Sequence, residues 1–230
     1  MGAFPIPYQR QQIVAGGRAC GAAALAMVYQ SFGMDCRQED IWDRIAEEVR
    51  PNERVCRTHR LAEDALRQGL SAAILQAAFP IGLLRRMAGS GARVVLNHRL
   101  DAGSALGHFT VLVKLDREEV VLHDPHFGAG RSLPLAELEQ LWKPIDGACE
   151  IVGGVLLAIG PEEKGPLRCG DCGAPLPAAL ACGRCHRPIA LAPAEALGCL
   201  DRRCPNRRWD RLYCPTCDWA TPFDKTRATI

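Results

Sequence analysis

The run HFTVLVKLDREEVVLHDP, residues 108–125, decides the fold class. Two stretches rich in β-branched residues, 108–115 and 119–124, flank the polar segment 116–118, which is the pattern of a β-hairpin. Antiparallel pairing of the two arms brings His108, which opens the first, and Asp124, which closes the second, to the same end of the sheet. ARVVLNH (92–98) upstream and EIVGGVLLAI (150–159) downstream supply further strands. SLPLAELEQLW (132–142) is expected as a helix with Ser132 near its cap.

Toward the N-terminus the period changes from two to about 3.6. CGAAALAMVYQSF (20–32) is rich in helix formers, ends at Gly33 and is apolar nearly all round, the signature of a buried central helix. QEDIWDRIAEEV (38–49) carries Ile41, Trp42, Ile45 and Val49 at amphipathic spacing. Helices at 59–69 and 81–88 and a short strand at 72–77 follow. Helices first and an antiparallel sheet second predict an α+β domain over residues 1–160.

The composition is that of a folded, water-soluble chain: 230 residues, 48% hydrophobic and 23% charged. A net charge of +2 from 28 basic and 26 acidic residues favours neither nucleic acid nor membrane as partner. No apolar run approaches the about 18 residues that a membrane span needs. The start MGAFPIPYQRQQ lacks the charged and then apolar pattern of a secretory signal, so a cytoplasmic location is expected.

Twelve cysteines are unevenly spread: Cys20, Cys36, Cys56 and Cys149 are scattered, and eight crowd between Cys169 and Cys217. After the polar stretch GPEEKGP (160–166), with residues 161–167 taken as the linker, residues 168–230 are too poor in apolar side chains for an independent core. The eight form the pairs Cys169/Cys172, Cys182/Cys185, Cys199/Cys204 and Cys214/Cys217. A nine-residue gap occurs twice, in units that start thirty residues apart. Two such pairs close one tetrahedral metal shell, so the spacing points to two structural zinc ions in a double zinc ribbon. An interleaved arrangement is conceivable, but the repeated gap favours sequential pairing, the first four cysteines on one ion and the last four on the other. His186 could replace a cysteine, although eight thiols already fill two shells. Arg202, Arg203, Arg207, Arg208 and Arg211 balance the negative thiolate sites. With Trp209 and Tyr213 as stacking platforms the same arginines would make a nucleic-acid patch, the less favoured reading. A protein partner for the tail is the reading preferred.

Cys20 opens the buried helix behind a Gly16-Gly17 turn, where the helix dipole and unpaired N–H groups favour a thiolate and can hold an oxyanion. A cysteine in such a place is as a rule a small buried hydrophobe. His108 and Asp124 at one sheet end change that, because thiol, imidazole and carboxylate together make a nucleophile, a base and an orienting group. His98 is expected at the surface, His59 at a solvated helix start, His123 facing away from the site and His126 on a loop. Cys36, Cys56 and Cys149 read as structural thiols.

IPYQRQ, ACGAAALAMVYQSFG, GHFTVLVKLDREEVVLHDPHFG and RSLPLAELEQLW together resemble the bacteriocin-processing peptidase family, over about residues 5–158. That resemblance implies a papain-like cysteine peptidase domain of the kind that cleaves leader peptides, often after a double glycine. It implies Cys20 as nucleophile, His108 as base, Asp124 as orienter and Gln11 as the oxyanion-hole glutamine. Gln11 lies nine residues before Cys20 and Gln12 eight, so the choice between them stays open. The cysteine-rich tail stands where the family's transporter segment would follow, so coupling to export is not expected. The expected function is hydrolysis of a peptide or flexible protein segment through a thioester. The rivals are an inactive peptide-binding adaptor and a transferase or deamidase using the same three residues.

Overall fold

The computed structural model describes residues 5–14, 17–163 and 167–222. Gly16, part of the linker and the end of the tail lie outside the described residues. Two short strands, β1 (Ile13–Val14) and β2 (Gly17–Arg18), lead into the helix α1 (Cys20–Ser31). Then come α2 (Gln38–Ile45), the hairpin β3 (Ala46–Arg50) and β4 (Glu53–Cys56), α3 (Thr58–Arg67), β5 (Ser71–Gln76) and α4 (Pro80–Ala88). The sheet-forming half holds β6 (Arg93–Arg99), β7 (Gly107–Leu115), β8 (Glu119–Asp124), β9 (Gly128–Pro134), α5 (Leu135–Leu141) and β10 (Val155–Gly160). In the tail lie β11 (Leu167–Arg168), β12 (Pro175–Leu176), β13 (Ala179–Ala181), β14 (Pro188–Ala190), α6 (Ala194–Leu197), β15 (Arg211–Tyr213) and β16 (Ala220–Pro222).

The fold is α+β with a papain-like arrangement: helices packed on an antiparallel sheet of order β16-β15-β5-β10-β6-β7-β8-β9. α1 is apolar all round because it is buried all round, Leu25, Met27, Val28 and Tyr29 being at most 1% exposed. Its face meets Phe109 and Val111 of β7, Val95 of β6 and Leu157 of β10 in one core cluster. The buried carboxylate beside it is accounted for: Asp64 accepts from Tyr29 at 2.8 Å and from Arg44 at 2.6 and 3.1 Å.

Three elements depart from expectation. The helix read over 38–49 stops at Ile45, and residues 46–50 turn back as a strand on β4. The Pro51-Asn52 turn makes this pairing available, with Asn52 in the left-handed region at φ 64°. Val49, the last apolar position of the helical pattern, is exposed. The helix read from 132 begins only at Leu135, with Ser132 in the strand β9. Pro134 forces this, since it cannot donate and holds its predecessor extended. The closing strand begins at Val155 rather than 150, because Gly153 and Gly154 turn the chain at φ 81° and 63°.

The tail is anchored to the peptidase domain through its backbone and its apolar side chains. β15 pairs with β5, Leu212 opposite Leu75, so the sheet runs on into the tail. Ile189, Leu191, Leu197, Trp209 and Leu212 join the same cluster as Leu83, Leu84 and Leu96. Each fully buried side chain of this size contributes about 1.5–3 kcal/mol. Trp209, read as a stacking platform, is 2% exposed and donates its Nε1–H to the carbonyl of Leu197 at 2.7 Å. Tyr213 donates its hydroxyl to Gln76 Oε1 at 2.8 Å. Trp209 is thus not presented as a platform for bases.

Candidate active site

α1 starts at Cys20, a residue only 4% exposed, so the unpaired first-turn N–H groups lie at the same helix end as the thiol. Gly21 permits the packing there: a Cβ on it would stand 2.5 Å from the Cys56 sulfur and 3.3 Å from Phe109. β7 lies along α1 and carries His108 to the helix end, while β8 returns Asp124 beside it, as the hairpin pattern required. His108 Nε2 and Asp124 Oδ1 are 2.7 Å apart. His108 also interacts electrostatically with Cys20, so its ring faces the thiol as well as the carboxylate.

Asp124 is fully buried and saturated. Its Oδ1 also accepts from the backbone N–H groups of His126 at 2.9 Å and Phe127 at 3.0 Å. Its Oδ2 accepts from Arg131 Nη1 at 3.0 Å. Arg131 was not singled out in the sequence. Its only signal is its place on β9, seven residues beyond Asp124 across a tight turn, and it stacks at 4.4 Å over Phe127.

These contacts set the charges. Burial alone would raise Asp124, but the hydrogen bond and charge of His108 with the two N–H donors hold it well below the carboxylate range. Burial opposes the charged form of His108, yet the Asp124 and Cys20 contacts outweigh it and raise the imidazole to about 9. Cys20 falls well below the usual thiol value, chiefly through the Cys56 thiol, against burial and with help from His108. Both shifts favour a thiolate beside an imidazolium. His98 is edge-on to His108 at 5.7 Å, and burial lowers it to about 4, so it stays neutral beside the charged ring.

The Peptidase C39 family matches residues 8–145. The chain belongs to the peptidase C39 family. Its fold is that of a double-glycine-motif protease from an AMS/PCAT transporter, whose structure was solved in complex with the leader peptide. That likeness has 21% identity, a TM-score of 0.50 and coverage of 70% of this chain and 94% of the other. The peptidase domain of Streptococcus ComA, a bifunctional ABC transporter involved in quorum sensing, matches at 16% identity. There the TM-score is 0.50, with 67% of this chain and 98% of that one covered. No curated protein matches the chain. This C39 member is thus a cysteine peptidase of papain-like fold, and among its described residues no helix is long and apolar enough to cross a membrane.

Gln11 stands on the Asp124 side of the peptidase site, its backbone N–H donating to Pro125 O at 3.0 Å and its side chain 3.5 Å from His126 Nδ1. Gln12 is held at its backbone N–H by Gln38 Oε1 at 3.2 Å. His123 faces away, as expected, bonding the carbonyl of Ile6 at 3.0 Å. Two histidines read as exposed are buried. His98 bonds the carbonyl of Arg99 at 2.7 Å and Thr110 Oγ1 at 3.0 Å. His59 lies between Glu47 and Asp218, each at 3.5 Å. Cys56, read as a structural thiol, packs against Gly21 at the start of α1, close enough to Cys20 for the two thiols to interact.

A cleft of about 430 Å³ opens beside Cys20. Phe109, Ile74, Ile151 and Val155 give it an apolar floor, and the β3–β4 hairpin lines it with Glu53, Arg54 and Cys56. The tail supplies Tyr213 and Asp218, residues on either side of the turn that ends at Cys217.

The eight tail cysteines form two groups, each with all its sulfurs within 4.8 Å of one another. The groups are Cys169, Cys172, Cys199, Cys204 and Cys182, Cys185, Cys214, Cys217. This overturns the sequential pairing. Each group takes the equivalent pair from both halves of the repeat, so the duplication in spacing reflects two knuckles laid side by side. Three of the four pairs share one turn. The residue after the second cysteine, Gly173, His186 or Asp218, is left-handed at φ 69°, 58° and 58°. Each returns its N–H to the carbonyl of the first cysteine at 3.0 Å. His186 thus serves the turn, and either group of four thiols could hold one metal ion.

Proposed function

We propose that this C39 peptidase hydrolyses a peptide or flexible protein segment with Cys20 as nucleophile, His108 as acid and base, and Asp124 as the orienting group. The observation that carries the reading is the 2.7 Å bond from His108 to a buried carboxylate, on a ring close enough to Cys20 for the two to interact electrostatically. The thiolate attacks the scissile carbonyl, and the oxyanion meets the N–H groups at the start of α1. Imidazolium gives its proton to the departing amine, leaving a thioester, and neutral His108 then draws a proton from water to release the acid. Gln11 is the candidate side-chain donor for the oxyanion from the loop before α1.

Each tail group is assigned one zinc ion. Four thiolates about 2.3 Å from a tetrahedral zinc stand about 3.8 Å from one another. The closest sulfur pairs, Cys169/Cys204 and Cys172/Cys199 at 3.6 Å and Cys182/Cys217 and Cys185/Cys214 at 3.7 Å, fit that shell. The ions would be structural, bracing the segment that brings Tyr213 and Asp218 to the cleft. The tail then acts as a wall of the substrate site as well as a surface for a protein partner. A reducing, cytoplasmic setting suits eight metal thiolates and a free nucleophile.

Labelling with a thiol-directed peptidyl electrophile tests the reading. Selective modification of Cys20 that is lost in His108→Ala is expected. Equal modification of all free thiols would refute the enzyme and leave a peptide-binding adaptor. Analysis of the products separates hydrolysis from transfer to an amine or deamidation.

A further inference from the structure

Cys56 ends β4, in the hairpin that lines the cleft, and its sulfur is wedged against the first turn of α1. Only the hydrogen of Gly21 separates it from the helix, since a Cβ there would come within 2.5 Å of that sulfur. The two thiols are close enough to interact electrostatically, and both cysteines line the same opening to solvent. Nothing in the hydrolytic cycle requires a second thiol. Cys36, by comparison, is held elsewhere, its Sγ 3.8 Å from the carbonyl of Ala26.

We propose that Cys20 and Cys56 form a reversible oxidation site, in which a peroxide oxidises Cys20 and Cys56 captures the product as a Cys20–Cys56 disulfide. The proposal rests on Cys20 being the reactive thiol of the preceding reading. The Cys20 thiolate attacks one oxygen of hydrogen peroxide, forming an S–O bond and breaking O–O. Sulfur loses two electrons, and the other oxygen leaves as hydroxide and takes up a proton as water. Cys56, as thiolate, then attacks the Cys20 sulfur. The S–S bond forms, the S–O bond breaks, and the hydroxide leaves as water with the proton given up by Cys56. A dithiol reverses the change by exchange.

The charges set the order of events. Cys56 is raised well above its usual value, first by its interaction with the Cys20 thiol and then by burial and the Cys20 charge. It therefore stays a thiol while Cys20 is anionic. A sulfenic acid at Cys20 is neutral, so oxidation removes the charge that kept Cys56 protonated. The cleft is wide enough for peroxide, and Thr58 and Asn97 give its wall polar character.

The test uses the full-length chain with Cys36→Ser, so that the tryptic peptide 19–37 carries Cys20 alone and peptide 55–57 carries Cys56. Treatment with hydrogen peroxide should give the two peptides joined by a disulfide. Labelling of Cys20 by the peptidyl electrophile should vanish with oxidation and return nearly in full after dithiothreitol. With Cys56→Ser added, no joined peptide forms, Cys20 proceeds to sulfinic acid, and labelling stays at least tenfold reduced after dithiothreitol. Sulfinic acid at Cys20 beside a free Cys56 would overturn the proposal, as would full recovery in Cys56→Ser. If that variant fails to fold, the peptide map of the chain with both thiols decides alone. Absence of labelling before peroxide would count against the peptidase reading instead, and the disulfide map would still read the oxidation.

Discussion

Arg131 grips Asp124 from the side opposite His108, its Nη1 3.0 Å from Oδ2 while His108 Nε2 lies 2.7 Å from Oδ1. The carboxylate is thus fixed between two cations and two backbone N–H groups in a fully buried position. Such an anchor costs desolvation, which geometry of this quality offsets. What it provides is a ring held to a single orientation beside Cys20.

Arg131→Met should lower kcat by about tenfold or more with little effect on KM, because the ring loses its fixed support while the cleft is untouched. Losing one partner of a buried carboxylate should also cost about 1–3 kcal/mol. Arg131→Lys should restore part of kcat. Steady-state kinetics beside a denaturation curve check this, and an unchanged kcat in Arg131→Met would refute it.

The pH profile follows from the ion pair. His108 titrates at about 9, so kcat/KM should hold through neutral pH and fall above about 9, as the imidazolium that protonates the amine is lost. The stabilising contact has the same sign: present below the unfolded histidine value near 6.5, it is lost as pH rises through 9. Asp124→Asn should move the alkaline limb downward and lower kcat on the order of 100-fold. An alkaline limb that stays in place would disprove the assignment.

Metal content should report the interleaved pairing. Two zinc ions per chain are expected by elemental analysis. Cys172→Ser with Cys199→Ser removes ligands from one group and should leave one ion. Cys172→Ser with Cys185→Ser weakens both groups and should leave fewer than one. The reverse ranking would restore sequential pairing.

Stripping the metal with a chelator should raise KM more than it lowers kcat, because Tyr213 and Asp218 leave the cleft wall while the catalytic residues keep their supports. Leu212→Ala should act in the same direction and destabilise the protein by about 2–5 kcal/mol, since Leu212 is fully buried opposite Leu75. Equal KM with and without chelator would show that the wall does not touch substrate.

The central hairpin and α1 were legible because their periodicities are strong and their turns local. That was enough to bring His108, Asp124 and Cys20 together. Less was legible where pairing overrides local pattern. Residues 46–50 have helical spacing but turn back as a strand on β4. Cys56 and His59 take their places from neighbours distant in sequence, and Arg131 and His98 from strand pairing across turns, which no spacing rule carries. The tail misled in a different way: a repeated gap reveals duplication, but not whether a metal bridges within a unit or across units.

The pairing of β15 with β5 bears on a separate matter, the integrity of the sheet in a crowded cell. Without the tail, Ile74, Leu75 and Gln76 would present open N–H and C=O groups along an apolar border, a template for strands of other chains. β15 covers that border, and β16, three residues long and ending in Pro222, becomes the outermost strand. A proline on the last strand, next to a braced knuckle, is a poor partner for another chain. The cysteine-rich segment therefore shields the peptidase sheet from sticking to its own kind.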